Sequence, residues 1–374
     1  MSYYLLPKNN NIIIISPCIG FTESSPYISH SLYNFYHNIQ TQIVSMCCDV
    51  SYNEYVEIIK IVNPTEYIFS KVPGSKFSVS KLKPNTNIFY EYLEITSTLN
   101  IFEPFKNKSI KSLHISSICD DSIECIEMIR DNYTNDTFFS FEEINDETYK
   151  SIITEKFDFM FFDKKHDNLN SYVINCIKII MTILRFQNNN GISIIKIDCV
   201  FHKQIVDILY IITSLFDKVY VIKPNATNVT TFDKYLVCKG FITNESKLEI
   251  YKENYIKLNN FIKTYKHENI YTIIGNNIPY YFNNKIDDMN NIIGQQQLES
   301  LDMIISILKN KNKEDKIEII KKMNIQKSAN WCEKFKIPYN KFSDKTNIFL
   351  PIVRDFKETC SPNSEIGLFE ETHD

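Results

Sequence analysis

Several things are missing from this chain, and each absence closes off a class. Glycine contributes only 7 of 374 residues. Alanine is also scarce, while Ile, Asn and Lys are over-used, a bias that belongs first to an AT-rich coding genome and only second to physics. No Cys-x-x-Cys pair occurs among the 10 cysteines, so neither a zinc site nor a secreted disulfide framework is expected. Long apolar runs are lacking near the start, where residues 12–15 give four isoleucines and nothing more. That is too short for a membrane span and lacks a signal peptide's order. A soluble, reducing, cytoplasmic setting without membrane or metal is expected. A basic excess is missing too. The net charge is −4 with pI near 6.0, which excludes a dedicated nucleic-acid coat and confines any RNA contact to a local patch. No internal repeat is visible.

What is present is an ordinary globular balance, with 44% hydrophobic and 23% charged residues, enough to bury a core. Apolar spacing predicts strands over residues 12–16 and 67–72, with helices over 32–43 and 55–61 between them. The middle of the chain alternates more regularly. Strands are expected at 110–115, 157–162, 192–197, 218–222 and 235–238, and helices at 122–130, 172–186 and 201–216. The run 188–191 reads as a turn. Such alternation predicts a mainly parallel α/β sheet covered by helices, with functional groups just past the carboxyl ends of the strands. Beyond about residue 245 the pattern becomes helical and polar, with a frayed tail. The expected division is 1–84, an N-terminal α/β extension; 85–245, the main domain; and 246–374, a mainly helical region. Trp331, Phe335 and Tyr339 lie at helical spacing, which favours core packing over base stacking.

The strand ends carry the chemistry. Asp163 follows the apolar run Phe157-Asp-Phe-Met-Phe-Phe162. Lys196 closes Gly191-Ile-Ser-Ile-Ile, and a lysine in a buried strand is costly unless paired. Asp233 precedes Tyr235 at the entry to another strand, ten residues after Lys223-Pro224. Upstream, Phe89-Tyr-Glu91-Tyr-Leu-Glu94-Ile95 forms a helical entry segment.

Taken in order, these four segments resemble the FtsJ family of RNA ribose 2′-O-methyltransferases over residues 85–242. The resemblance implies a Rossmann-like methyltransferase sheet, mainly parallel with an antiparallel last strand, and S-adenosylmethionine as cofactor. It also implies a Lys-Asp-Lys-Glu set around the ribose. By position Asp163 matches the Asp, Lys196 the second Lys, and Asp233 the Glu, while Glu91 falls where the first Lys is expected. In such a set a lysine takes or polarises the 2′-hydroxyl proton while the acids orient it.

Two departures stand out. Glu91, Asp163 and Asp233 against Lys196 alone leave a net −2 if all are ionised. Nearby carboxylates favour a charged lysine, which opposes its use as a base. Lys81 or Lys83 could replace the missing cation. The cofactor loop, expected at His114, Ser116, Ser117, Cys119, Asp120 and Asp121, has none of the glycines that the family places there. Its two aspartates suit a helix cap better than an anionic ligand. The span 130–157 is short for the family's second and third strand–helix units, and Glu142 and Glu143 stand where a ribose-binding acid would be sought.

His166 and His202, beside strand ends, read as surface or hydrogen-bonded histidines rather than ligands. Lys164, Lys165, Lys203, Lys223 and Lys234 could form a phosphate-binding rim. The overall style resembles FtsJ-like proteins of large nucleocytoplasmic DNA viruses, which implies RNA (capped mRNA included) and other viral proteins as partners, in the host cytoplasm or the virion. Two functions follow as expectations. One is an RNA 2′-O-methyltransferase. The other is a catalytically inactive module that binds RNA or protein within a viral complex or particle.

Overall fold

A computed structural model describes residues 2–48, 50–117, 120–131, 133, 135–242, 245–310 and 314–342. In chain order they form β1 (Ser2–Leu5), β2 (Ile15–Gly20), α1 (His30–Cys47), α2 (Tyr52–Val62), α3 (Ile88–Thr98) and β3 (Lys111–Ser116). Then come α4 (Asp120–Ile129), β4 (Thr137–Phe141), α5 (Asp146–Ser151), β5 (Phe157–Asp163), α6 (Leu169–Phe186) and β6 (Gln187–Ile197). The remainder is α7 (Lys203–Leu215), β7 (Phe216–Lys223), β8 (Lys234–Phe241), α8 (Glu245–Thr264), β9 (Asn269–Ile274), α9 (Tyr280–Lys309) and α10 (Glu314–Lys334).

The central sheet has seven strands in the order β1-β7-β8-β6-β5-β3-β4. Strands β4, β3, β5 and β6 run parallel, and β8 is inserted antiparallel between β6 and β7. This is a mixed, mostly parallel sheet flanked by helices, as the alternation of strands and helices along the sequence predicts. Alternation along β3 sends Leu113 and Ile115 into the same core as α6 and α7. Ser112, His114 and Ser116 take the opposite face, where Phe102 meets Phe159 of β5 with ring centroids 5.6 Å apart. Helix α6 is long and apolar enough to cross a membrane by composition alone, yet it packs here on β6, α7 and α8.

Contacts divide the chain into two compact units: residues 1–35, 98–224 and 232–295 in the first, and 36–97, 225–231 and 296–374 in the second. These do not follow the boundaries 1–84, 85–245 and 246–374. The reason is long-range strand pairing. Strand β1 adds antiparallel to β7 at the edge of the central sheet, and β2 pairs with β9, so the first residues belong to the main fold, while the region after residue 245 is mainly helical with the one strand β9.

Two expected strands are also corrected. Within 12–16 the strand begins only at Ile15, because Ile12 and Ile14 face solvent and Asn276 supplies side-chain bonds to the Ile12 carbonyl and the Ile14 amide in place of a ladder. Residues 67–72 contain a short 3₁₀ turn, Glu66–Ile68, with backbone bonds from Val79 and Ser80 to Tyr67 and Ile68. The turn expected at 188–191 appears as a bulge inside β6. Gln187 pairs with Phe157 and the next partners are Ile192 and Phe159, with Asn190 at φ 60°.

In the second unit, Trp331 is buried, lies 4.7 Å from Phe335 between ring centroids, and donates its indole N–H to Glu94 Oε2 at 2.8 Å. The same carboxylate oxygen accepts the Ala226 amide at 3.0 Å, so one buried acid ties α3 to α10 and to the 225–231 segment. Trp331 is therefore a packing residue.

Candidate active site

The register lines up Ser116, Asp163 and Lys196 at the carboxyl ends of parallel strands, with Tyr235 at the start of the antiparallel β8 beside them. Ser116 on β3 pairs with Asp163 on β5. Lys196 lies one step beyond the Phe162–Ile195 pair and opposite Tyr235 of β8. Because side chains alternate, Asp163, Lys196 and Asp233 emerge on the face that carries Ser112, His114 and Ser116. Lys196 Nζ lies 3.6 Å from Asp163 Oδ2 and 3.9 Å from Asp233 Oδ2. Asp163 and Lys196 are largely covered, at 12% and 20% side-chain exposure, and Asp233 is more open at 39%. The lysine's burial in a strand end is thus offset by two carboxylates. Tyr235 is wholly buried beside it and helps fix the strand that delivers Asp233. Lys223 Nζ donates to the Asp233 carbonyl at 3.1 Å, closing the ends of the loop against each other.

The sheet order reverses direction between β3 and β5, since β4 follows β3 on one side and β5 lies on the other. In open α/β sheets such a point is where ligands are sought. Ser116 and Asp163 are paired there.

The residues expected to hold a cofactor divide. His114 is fully buried, with Nδ1 2.7 Å from Ser122 Oγ and Nε2 3.1 Å from Ser112 Oγ, among Phe138, Phe159 and Phe161. Burial drives its imidazole down to about 3. His114 is therefore a core residue, its ring turned toward Ser122 of α4 by strand alternation. Ser116 and Asp121 are also buried, and Ser117 is the exposed member. Asp120 begins α4, and Cys119 lies outside the described residues. Glu91 belongs to the second unit, on α3. It is buried rather than solvated, and its Oε1 accepts a bond from Asn87 Nδ2 at 3.2 Å.

Lys164, Lys203 and Lys234, three of the five lysines expected in a rim, are engaged within the protein. Lys234 is buried, with Nζ on the Phe232 carbonyl at 3.0 Å, and Lys203 is engaged with Asp207 of its own helix. Lys164 donates to the Glu142 carbonyl at 2.7 Å. Helix periodicity and strand alternation turned these side chains inward or along the surface.

Sequence reasoning missed Asp198. Its Oδ2 lies 3.2 Å from His166 Nε2, and the His166 ring stacks on Tyr172 at 4.3 Å between centroids. Burial alone would raise the Asp198 carboxyl, but the His166 hydrogen bond and the nearby Lys234 ammonium outweigh it and hold it below the ordinary value. Burial in turn lowers Lys234, against the pull of Asp198. The signal was available: Asp198 stands two residues past Lys196 at the end of the same buried strand. Burial holds His202 below the usual histidine range. Among the described residues, no group of three or more His, Cys, Asp or Glu comes together as a metal site.

No family model matches this sequence, and no curated protein does. Among solved structures it is similar to Haemonchus contortus phosphoethanolamine N-methyltransferase 2 in complex with S-adenosyl-L-methionine, at 13% identity and TM-score 0.27, covering 41% of this chain and 38% of that one. It is also similar to human methyltransferase-like protein 13 in complex with SAH, at 10% identity and TM-score 0.27, covering 49% of this chain and 95% of that one. The chain thus spans about two fifths of the length of the first. Likenesses this partial leave the fold to be read from the strand order itself, a mixed, mostly parallel seven-stranded sheet between helices.

Proposed function

We propose that this chain is an S-adenosylmethionine-dependent RNA ribose 2′-O-methyltransferase. The observation that carries the reading is Lys196 held between Asp163 and Asp233 beside the reversal point of the sheet. A ribose hydroxyl is a poor nucleophile until its proton is accepted, and Lys196 in its neutral form is the acceptor. Asp163 and Asp233 orient the lysine and receive it again as an ammonium. The cofactor, when bound, supplies an electrophilic methyl group. Of the chain's own residues, Ser116 and Ser117 at the end of β3 are the ones this reading assigns to hold it. The partners in this reading are RNA, capped mRNA included, and other proteins of a viral complex, in the host cytoplasm or the virion.

A second reading has its own support. Asp121 is fully buried in the first turn of α4, the place where a methionine carboxylate would otherwise meet helix N–H groups. A carboxylate already there repels another. With no glycine in the loop, this favours an inactive module that binds RNA or protein.

Calorimetric titration of the full chain with S-adenosylmethionine separates the two. Micromolar binding that disappears on changing Ser116 and Ser117 to bulky residues, with the fold retained, supports the enzyme. No binding overturns it in favour of the inactive module.

A further inference from the structure

The second unit contains a cleft of about 350 Å³ whose lining includes Lys71, Lys76, Lys81 and Lys83, with Phe69 and Phe77, and, among the described residues, neither Asp nor Glu. In a chain of net charge −4, this is a concentrated basic site. Among the described residues none of the four lysines has a carboxylate within ion-pair distance, although acidic side chains are as plentiful in the chain as basic ones. Phe77 is 57% exposed and Phe69 40%. The backbone that presents them is well held. Val72 N–H bonds to the Phe77 carbonyl across a turn with Gly74 at φ 75°, where a side chain would be strained. Val79 and Lys81 are bonded to Asn340 and Pro338 on the neighbouring stretch.

We infer that this cleft binds a strand of single-stranded RNA, the lysines meeting phosphates and Phe77 and Phe69 stacking on bases. Lysines without acidic neighbours attract a polyanion, and exposed phenyl faces between them match a ligand that alternates charge with flat rings. A lipid surface would be met by a protruding face, whereas this one is concave. A phosphopeptide leaves the phenyl groups without a stacking partner. The inference shares RNA as ligand with the function proposed above, but uses none of that site's residues. Absence of cofactor binding would remove methyl transfer and leave the cleft untouched.

The test is fluorescence anisotropy of the full chain with a short fluorescein-labelled oligoadenylate over a salt series. Lys81→Glu with Lys83→Glu should weaken binding at least about tenfold. It should also make the salt dependence shallower by roughly 0.7 in log–log slope for each phosphate no longer neutralised. Phe77→Ala should weaken binding about tenfold with the slope unchanged. All three positions are exposed, and far-UV circular dichroism checks that the fold survives. Lys71→Glu with Lys76→Glu repeats the charge test should the first pair disturb it. Unchanged RNA affinity in natively folded lysine variants overturns the inference. So does loss of only heparin or anionic-vesicle binding, or a Phe77→Ala protein that binds RNA as well as the parent.

Discussion

Arg130 Nε donates to Asp136 Oδ2 at 2.6 Å, with both side chains almost wholly buried. The guanidinium also reaches the Phe105 and Lys108 carbonyls at 3.1 and 2.6 Å, and lies 4.1 Å from the centre of the Tyr133 ring. Asp136 Oδ1 in turn accepts the Ile110 amide at 2.8 Å. The pair thus pins the lead-in to β3 against the start of β4. Removing one partner leaves the other charge buried and uncompensated. Asp136→Ala should cost about 3–5 kcal/mol in urea unfolding. If Asp136→Ala unfolds at the parent's midpoint, the pair does not hold the two strand ends together.

The contact of Lys196 with Asp163 makes a separate prediction about chemistry. Lys196→Ala should lower methyl transfer to capped RNA by about 10²–10⁴-fold, the usual share of a positioned base, while cofactor affinity stays the same. Lys196→Arg should not rescue it, because a guanidinium remains charged and cannot accept the proton. Single-turnover methylation with radiolabelled cofactor measures both. An active Lys196→Arg enzyme would rule the lysine out as proton acceptor.

His114 sets an acid limit. Folded, its imidazole is held down at about 3 by burial, against 6.5 for an ordinary histidine. The unfolded chain therefore takes up the proton first, and stability rises with pH across that interval. The stabilisation is complete above about 6.5 and fades as pH falls from there toward 3. His114→Asn should be less stable near neutrality but should lose less stability on acidification. Urea midpoints of both proteins through this range give the comparison, and parallel curves would contradict it.

Much of this was legible in the sequence because the information is local. Apolar runs at 157–162 and 192–197 predicted buried strands, and β5 and β6 are there. The same runs delivered Asp163 and Lys196 to the same end of the sheet, since parallel strands put their carboxyl ends together. Short connections and helical spacing located α4, α6 and α7. What failed was local pattern without a local partner. Ser2–Leu5 and Asn269–Ile274 are strands only because β7 and β2 lie beside them, and nothing in four or six residues announces a partner more than 200 positions away.

The division is sharpest among the charged side chains. The sequence by itself determined that a lysine ends one buried strand and acids end or precede its neighbours, because burial and periodicity are written in the order of residues. Only the tertiary structure decided which of them meet. It set Lys196 between Asp163 and Asp233, folded His114 and Asp121 into the core, turned Lys234 inward, and left Lys71, Lys76, Lys81 and Lys83 open around one cleft. The direction of a side chain depends on strand register and on the helix packed over it, and both are fixed by distant residues.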